Sequence, residues 1–413
     1  MNEPYSIKGI PSDTLDSEII GQRSYKVNTH KSPLGYDAWG RSKAVQDFSL
    51  FHGVWTVDVP NVMWIEYQNN IESPKAYATS LDGELNLVSN GVLNEEIALY
   101  SKRHPRYQPN RGLLYSSSIL LPNKDNVAQR DFGIFNTQFG VFFRLRSGAL
   151  YVCRRTTATA LVTTTIEEAI DTNLLPTNFD LEKGNIYDIQ MQWRGVGNIK
   201  FFVGEPDTGN SVLIHTMDLL GKLNGLSIGN PAMPIGFLCK NLGDDATIKA
   251  GCVDITSEGG FKENRQRGVV TSGDIALSTG EETILLLHIP DTTTNGWINT
   301  RDVAMRRIKG YADANTIIRI YYTRDNTAFT GTIWTLTDGQ GTSEYSTNGD
   351  IAWTGGGVLV NQGRIPAYGS ESLDNPDEVY GDFYLTHGDY FLVTFQAKNN
   401  TSGGASMEWG AEV

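Results

Sequence analysis

The side chains best suited to contact another molecule begin with an aromatic run near the amino terminus. The run is "SPLGYDAWGRSKAVQDFSLFHGVW", residues 32–55. Because aromatic and arginine side chains dominate protein interfaces, this composition favours contact with another protein over binding of a small ligand. The residues predicted to face a partner are Tyr36, Asp37, Trp39 and Arg41. The rings predicted to point into the chain's own core are Phe48, Phe51 and Trp55.

A basic island, "SKRHPRYQPNRG", occupies residues 101–112 of an otherwise acidic chain. Its guanidinium groups could pair with carboxylates on a partner, and its tyrosine could stack beside them. Equally, it could be an exposed loop whose arginines bond within the chain. Both interpretations stay open at this point, and neither is catalytic. The candidate partner-binding residues of the island are Arg103, Arg106, Tyr107 and Arg111.

Motifs for metal, phosphate or nucleophilic chemistry are missing from the sequence. There is no HExxH, CxxC, EF-hand loop or G-x-S-x-G, and the histidines are widely spaced. The odd cysteine count favours reduced thiols over a disulfide framework. We therefore predict no metal, no cofactor and no disulfide. The histidines are His30, His52, His104, His215, His288 and His387, and the cysteines are Cys153, Cys239 and Cys252.

The carboxylates show no pattern of paired acid and base. Glycoside hydrolysis needs two carboxyl groups across a cleft, which a strand would present as alternating acidic residues on one face. The acidic residues cluster instead in turns such as "EPDTGN" and "LDNPDEVYGD", where solvation or turn capping accounts for them. On this basis the chain is predicted not to be an enzyme.

Composition narrows the class of partner. The 413 residues carry a formal net charge of -13, which opposes binding to nucleic acid. The amino terminus lacks a basic and apolar leader, and no apolar run reaches the roughly 18 residues of a membrane span. We expect no nucleic acid, no membrane span and synthesis in a cytoplasm without export by that route.

Short alternating runs separated by turn residues predict an all-β fold with two β-sandwich domains behind an extended arm. "YDIQMQWRGVGNIKFFVG" predicts a hairpin across a Gly-rich turn. Only residues 165–172 and 217–223 look helical. The predicted units are a docking arm over 1–45, a first sandwich over 46–258, a linker over 259–267 and a second sandwich over 268–413.

Several stretches together resemble a family of known proteins. "YDAWGRSKA", "FSLFHG" and "VPNVMWIEY", continued by "RHPRYQPNRGLLYSSS", "IYDIQMQWRGVGNIKFF" and "CVDITSEGG", resemble virion structural proteins of tailed bacteriophages with a concanavalin-like or jelly-roll domain. The resemblance covers roughly residues 35–260. The carboxy-terminal sandwich, ending in "SMEWGAEV", is similar in architecture to terminal domains of phage surface proteins. The family implies a component on the outside of the virion: capsid decoration, head fibre or tail fibre.

The function predicted from the sequence is accordingly a virion structural protein that docks through its arm on capsid or tail subunits. Two sandwiches leave strand edges that virion proteins commonly cover by oligomerising, so a homo-oligomer, with a trimer as the leading form, is expected. The alternative is a host-recognition adhesin that binds or degrades carbohydrate on a host-surface glycan. The candidate sugar-stacking rings for that alternative are Trp297, Trp334 and Trp353.

Overall fold

The computed structural model describes most of the chain from residue 47 onward. The predicted docking arm, with Tyr36, Asp37, Trp39 and Arg41, lies outside the described residues. The described ranges are 47–61, 63–69, 77–89, 92–158, 162–259, 265–324, 329–330, 332, 334–336, 343–347, 352–353, 355, 357–374 and 384–412.

The described residues between 47 and 259 form the N-terminal sandwich. Its strands are β1 Phe48–Val54, β2 Trp64–Gln68, β3 Tyr77–Leu81, β4 Glu84–Ser89, β5 Glu96–Ser101, β6 Gly112–Leu120, β7 Ala128–Phe135, β8 Gly140–Arg146, β9 Ala149–Thr157, β10 Thr163–Ala169, β11 Asn185–Met191, β12 Ile199–Gly204, β13 Ser211–Met217, β14 Ile235–Asn241 and β15 Ala246–Glu258. They form an eight-stranded sheet, ordered β13-β12-β11-β6-β15-β4-β3 with β1 also paired to β15, and a seven-stranded sheet, ordered β10-β9-β8-β7-β14-β5-β2.

The described residues from 265 to 412 form the C-terminal sandwich. Its strands are β16 Arg265–Thr271, β17 Ile275–Leu277, β18 Glu281–Ile289, β19 Val303–Ala312, β20 Thr316–Thr323, β21 Phe329–Thr330, β22 Thr335–Leu336, β23 Glu344–Ser346, β24 Ala352–Trp353, β25 Val358–Ile365, β26 Gly369–Asp374, β27 Tyr384–Leu385, β28 Asp389–Ala397 and β29 Thr401–Glu412. One six-stranded sheet runs β16-β29-β19-β26 with β17 and β27 at its side, another runs β22-β23-β18-β28-β20-β25, and β21 pairs with β24.

The all-β class is confirmed, and alternation of side chains explains it. In β6 the residues pointing to the core, such as Tyr115 and Ile119, are buried, while their neighbours Leu114 and Ser116 are partly exposed. Each sandwich encloses its own apolar core. The boundaries predicted for the arm, the domains and the linker stay a prediction.

The predicted hairpin over residues 187–204 is confirmed. β11 pairs antiparallel with β12, with Tyr187 opposite Val203. A Cβ at Gly197 would lie 1.7 Å from the carbonyl oxygen of Gln192, so the tight turn accepts only glycine there. The Trp193 indole nitrogen donates to the Ile228 carbonyl at 2.9 Å, which fixes the turn against the following loop.

The two helical predictions are wrong. Residues 163–169 form β10, which pairs along its whole length with β9. Met217 ends β13, and no α-helix begins among the described residues that follow it. Both segments are shorter than an isolated helix needs. Pairing with β9 therefore decides the conformation of the first segment, and the second leaves β13 after Met217 as turn and irregular backbone.

Of the three aromatic rings predicted to point into the core, two are buried and one is exposed. Trp55 is fully buried, with its ring 5.5 Å from that of Trp64 and 5.8 Å from that of Phe237. Phe51 is also buried, as predicted. Phe48, predicted to point inward, is 50% exposed at the first position of β1.

Candidate functional site

A cleft of about 400 Å³ lies where the two sandwiches meet, and we call it the inter-sandwich cleft. The N-terminal sandwich contributes residues of β2, β5 and the loop between β7 and β8. The C-terminal sandwich contributes the loop after β18 and the turn between β27 and β28. The lining residues are Tyr67, Gln68, Asn69, Glu96, Ala98, Tyr100, His104, Asn136, Thr137, Pro234, Asp291, Thr292, Ile298 and His387.

An aromatic wall forms one side of the cleft. Tyr67 on β2 is 46% exposed, and its ring lies 5.8 Å from the buried ring of Tyr100 on β5. Partial burial, followed by the charge of Asp291, raises the pKa of Tyr67. The hydroxyl therefore stays protonated at neutral pH, and the exposed ring offers a flat apolar face beside a polar tip.

Three buried nitrogen atoms of the lining residues have no hydrogen-bond partner; one is His104 Nδ1, and the other two belong to Asn136 and His387. Asn136 uses its side-chain oxygen to accept from the backbone N–H groups of Gln138 and Phe139, both at 2.8 Å, while its Nδ2 is unpaired. His387 contacts the Tyr67 hydroxyl through Nε2 at 3.4 Å and leaves Nδ1 unpaired. A buried polar atom without a partner is unfavourable, so both atoms would gain from a hydroxyl-bearing ligand.

The charge state of His387 is set by its surroundings. Burial, then the nearby His104, Arg324 and Lys102, lowers the pKa of His387 to about 3. Its ring lies 5.4 Å from that of His104. His387 is therefore neutral at physiological pH and can both donate and accept a hydrogen bond.

Carboxylates reach the cleft from both sandwiches. Glu96 on β5 forms an ion pair with Lys240 at 3.3 Å, and Asp291 is exposed in the loop after β18. Carboxylate oxygens accept hydrogen bonds from hydroxyl groups, and two carboxylates in one cleft are also the groups that glycoside hydrolysis uses.

A buried polar network holds the sandwiches together behind the cleft. The Tyr322 hydroxyl accepts from Lys102 Nζ at 2.8 Å and donates to Asp389 Oδ1 at 2.7 Å. Arg324 Nε lies 3.4 Å from the same Asp389 oxygen. Burial lowers the pKa of Lys102 to about 8 and raises that of Asp389. The contact between the sandwiches thus contains charged groups that are costly to bury.

Apolar and backbone contacts complete this interface. Phe139 and Trp297 stack with ring centroids 5.6 Å apart. The Gln138 side-chain oxygen accepts from the Ile298 N–H at 2.9 Å. These contacts flank the loop that carries Asn136, so they hold one wall of the cleft against the other.

The predicted partner-binding residues of the basic island form bonds within the chain. Arg106 donates to the Thr300 carbonyl at 3.0 Å, and Arg111 donates to the Gly259 carbonyl at 2.6 Å. The Tyr107 ring packs edge-on against Trp193 at 5.7 Å, and Arg103 is half-buried. Binding of an external partner by these four residues stays a prediction.

The three predicted sugar-stacking tryptophans do not line the inter-sandwich cleft. Trp297 packs on Phe139 at the interface, Trp334 lies 5.3 Å from His288, and Trp353 lies 4.5 Å from Tyr321. The latter two belong to an aromatic layer on the β18–β28–β20 sheet. The residues that do form the cleft were missed, because Tyr67 and His387 are 320 positions apart and no spacing rule connects them.

Among the described residues, no group of three or more His, Cys, Asp or Glu side chains is arranged to hold a metal ion. In the same part of the chain there is no helix with the length and apolar character that crossing a membrane takes.

No family model and no curated protein matches the chain. Among solved structures, the chain is similar to a glycoside hydrolase family protein from Mycobacterium thermorestibile, at 9% identity and a TM-score of 0.35, covering 50% of this chain and 99% of that chain. It is also similar to peanut lectin, at 14% identity and a TM-score of 0.33, covering 52% and 98%. A structure of endo-acting O-glycanases expressed by members of the human gut microbiota matches at 14% identity and a TM-score of 0.35, covering 51% and 99%.

The prediction that the chain is not an enzyme is contradicted by these names, which include glycoside hydrolases, and is withdrawn. The predicted virion role gains no support from them, while the carbohydrate-related alternative agrees with them in general terms. Because the TM-scores lie below 0.5, no ligand or activity is transferred to this chain from these matches. The proposals below rest on the chain's own residues.

Proposed function

We propose that this protein binds carbohydrate in the inter-sandwich cleft. The observation that carries the proposal is the half-exposed ring of Tyr67 beside two unpaired polar atoms, Asn136 Nδ2 and His387 Nδ1. A sugar ring combines an apolar face, which packs on an aromatic ring, with hydroxyls that both donate and accept. Concave sites that combine apolar walls with a few convergent polar groups are typical ligand sites.

The ligand class follows from the charges that face the cleft. Glu96 and Asp291 bring negative charge, and His387 is neutral because burial lowers its pKa to about 3. These carboxylates repel negatively charged groups on a sugar. Neutral or amino sugars are therefore favoured over acidic ones at this site.

The test begins with an array of neutral, amino and acidic oligosaccharides on which binding of the protein is measured. Calorimetry then gives the affinity for each retained sugar, that is, each sugar to which the protein binds on the array. Tyr67→Ala should weaken binding about tenfold, or ~1.4 kcal/mol, because the stacking face is lost. Tyr67→Phe keeps the ring and loses only the contact with His387, so it should bind more tightly than Tyr67→Ala. Tyr77→Ala removes a similarly exposed tyrosine from β3, away from the cleft, and serves as the control. Retention of no sugar, or equal binding by Tyr67→Ala and wild type, would refute the proposal.

A second candidate function is hydrolysis of the bound glycan. It is favoured by the presence of Glu96 and Asp291 in one cleft, since one carboxyl group must act as acid and another as base or nucleophile. Release of reducing ends from the retained sugars measures it. Glu96→Gln and Asp291→Asn should each abolish release while binding persists; release that survives both substitutions would exclude this pair as the acid and base.

The location predicted from the sequence, on the surface of a phage particle, is a separate proposal. Deletion of residues 2–40 should leave a folded protein that is absent from purified particles. Incorporation of the truncated chain at normal occupancy would refute the docking role of the arm without affecting the glycan proposal.

A further inference from the structure

A second groove, of about 630 Å³, lies on the C-terminal sandwich at one end of β20, β25 and β28. None of the residues that form it lines the inter-sandwich cleft. The groove is formed by Asn315, Thr316, Ile317, Arg364, Ile365, Pro366, Gln396, Ala397 and Lys398.

The backbone of this groove is held in place by one side chain and its neighbours. The Asn315 side-chain oxygen accepts from the Ala367 N–H at 3.0 Å, and the Asn315 carbonyl accepts from the Lys398 N–H at 2.9 Å. The turn after β25 is thereby attached to the end of β28. The two segments that carry Arg364 and Lys398 are fixed relative to each other before any ligand binds.

Two cationic side chains of the groove have no partner among the described residues. Arg364 and Lys398 are both exposed, and no described residue forms an ion pair or a side-chain hydrogen bond with either cationic group. By contrast, Arg319 on the neighbouring β20 pairs with Glu281 at 3.0 Å and with Gln396 at 3.1 Å. In a chain with net charge -13, two unpaired cations at one groove form a local site for an anion.

An exposed tyrosine lies on the turn that leads out of the groove after Pro366. Tyr368 follows Pro366 by two positions, is 87% exposed and has a φ of 55°. A bulky residue in the left-handed region is uncommon and costs free energy, and such strain is concentrated at functional sites. Glycine would suit this backbone better for stability alone, so the tyrosine side chain needs another reason to be there.

We propose that this groove binds an acidic saccharide, that is, a sugar bearing carboxylate or sulfate groups. The anionic group would pair with Arg364 and Lys398, and the sugar ring would pack on Tyr368. Arginine binds carboxylate and sulfate oxygens through parallel N–H donors, which gives the site its directional preference. The protein would then hold two kinds of sugar, at sites of opposite charge on separate parts of the molecule.

Calorimetry on the full chain tests this with an oligogalacturonate, a heparin oligosaccharide and a neutral maltose-series oligosaccharide. We expect at least one acidic sugar to bind, more weakly as salt is raised, and the neutral sugar not to bind at this groove. Arg364→Gln and Lys398→Gln should each weaken binding about tenfold. Lys183→Gln, which removes an exposed lysine from the N-terminal sandwich, should change nothing. Tyr67→Ala should also leave acidic-sugar binding intact, which separates this site from the inter-sandwich cleft.

Tyr368→Gly relieves the backbone strain and removes the ring, so it stays folded and isolates the stacking contribution. It should weaken binding of the acidic sugar but not of inorganic sulfate. Failure of both acidic sugars to bind, binding that survives Arg364→Gln and Lys398→Gln, or unchanged sugar binding by Tyr368→Gly would each overturn the proposal.

Discussion

The buried Lys102 makes the stability of the protein depend on pH in a way that one substitution should reveal. Its ammonium group bonds the Tyr322 hydroxyl at the interface between the sandwiches, where burial lowers its pKa from 10.5 to about 8. Between these values the unfolded chain holds a proton that the folded chain has released. Stability contributed by this residue therefore rises with pH over that range.

The size of the effect follows from the two pKa values. Below about pH 8 the folded protein carries the full penalty of the buried charge, and the penalty shrinks as the lysine loses its proton. From the pKa of 10.5 unfolded and about 8 folded, the penalty falls by ~2 kcal/mol between about pH 7 and about pH 9.5.

Lys102→Met isolates this contribution, because methionine fills similar space and does not titrate. The free energy of unfolding is measured with urea for both proteins at each pH. Burial also raises the pKa of Cys153 and Cys239 to about 12, so the free energy of unfolding of both proteins falls above about pH 9. Because this fall is common to the two proteins, the difference between their free energies of unfolding is the informative quantity. The advantage of methionine over lysine should shrink by ~2 kcal/mol as the pH rises.

Lys183→Met, at an exposed site, is the matched control and should show no such trend. If the difference between Lys102→Met and wild type stays constant within about 0.5 kcal/mol over this range, the buried charge is not penalised as argued.

Three further substitutions test other parts of the fold. Asp131→Ala should lower the free energy of unfolding by about 3–5 kcal/mol in urea, because Arg144 loses bonds of 2.7 and 2.6 Å to a fully buried carboxylate; a loss below about 1 kcal/mol would contradict this. Trp297→Ala should lower stability by about 2 kcal/mol through loss of the stacked contact with Phe139, seen as a lower midpoint in thermal unfolding; an unchanged midpoint would mean that the stack does not contribute. Tyr368→Gly should raise stability by about 1 kcal/mol, and a fall instead would show that its backbone is not strained.

The sequence by itself determined the class of fold. Alternation in β6 and in β11 is a local property with a period of two, and each such strand directs its alternating apolar residues to the core whichever strand it pairs with. The same local pattern was ambiguous over 165–172 and 217–223, where a few residues fit either a helix or a strand. Pairing of β10 with β9 settled the first, since a strand partner supplies hydrogen bonds that a short helix cannot match.

Only the tertiary structure decided which side chains meet. Tyr67 and His387 lie 320 positions apart and come together because the loops of one sandwich pack on the strands of the other. Their separation along the chain does not indicate this contact. The sequence likewise did not show which basic side chains form bonds within the chain. Arg106 and Arg111 donate hydrogen bonds to backbone carbonyls, whereas Arg364 and Lys398 remain unpaired among the described residues. A cation looks the same in a sequence whether or not the fold brings an acceptor to it, so binding chemistry is set by packing rather than by residue type alone.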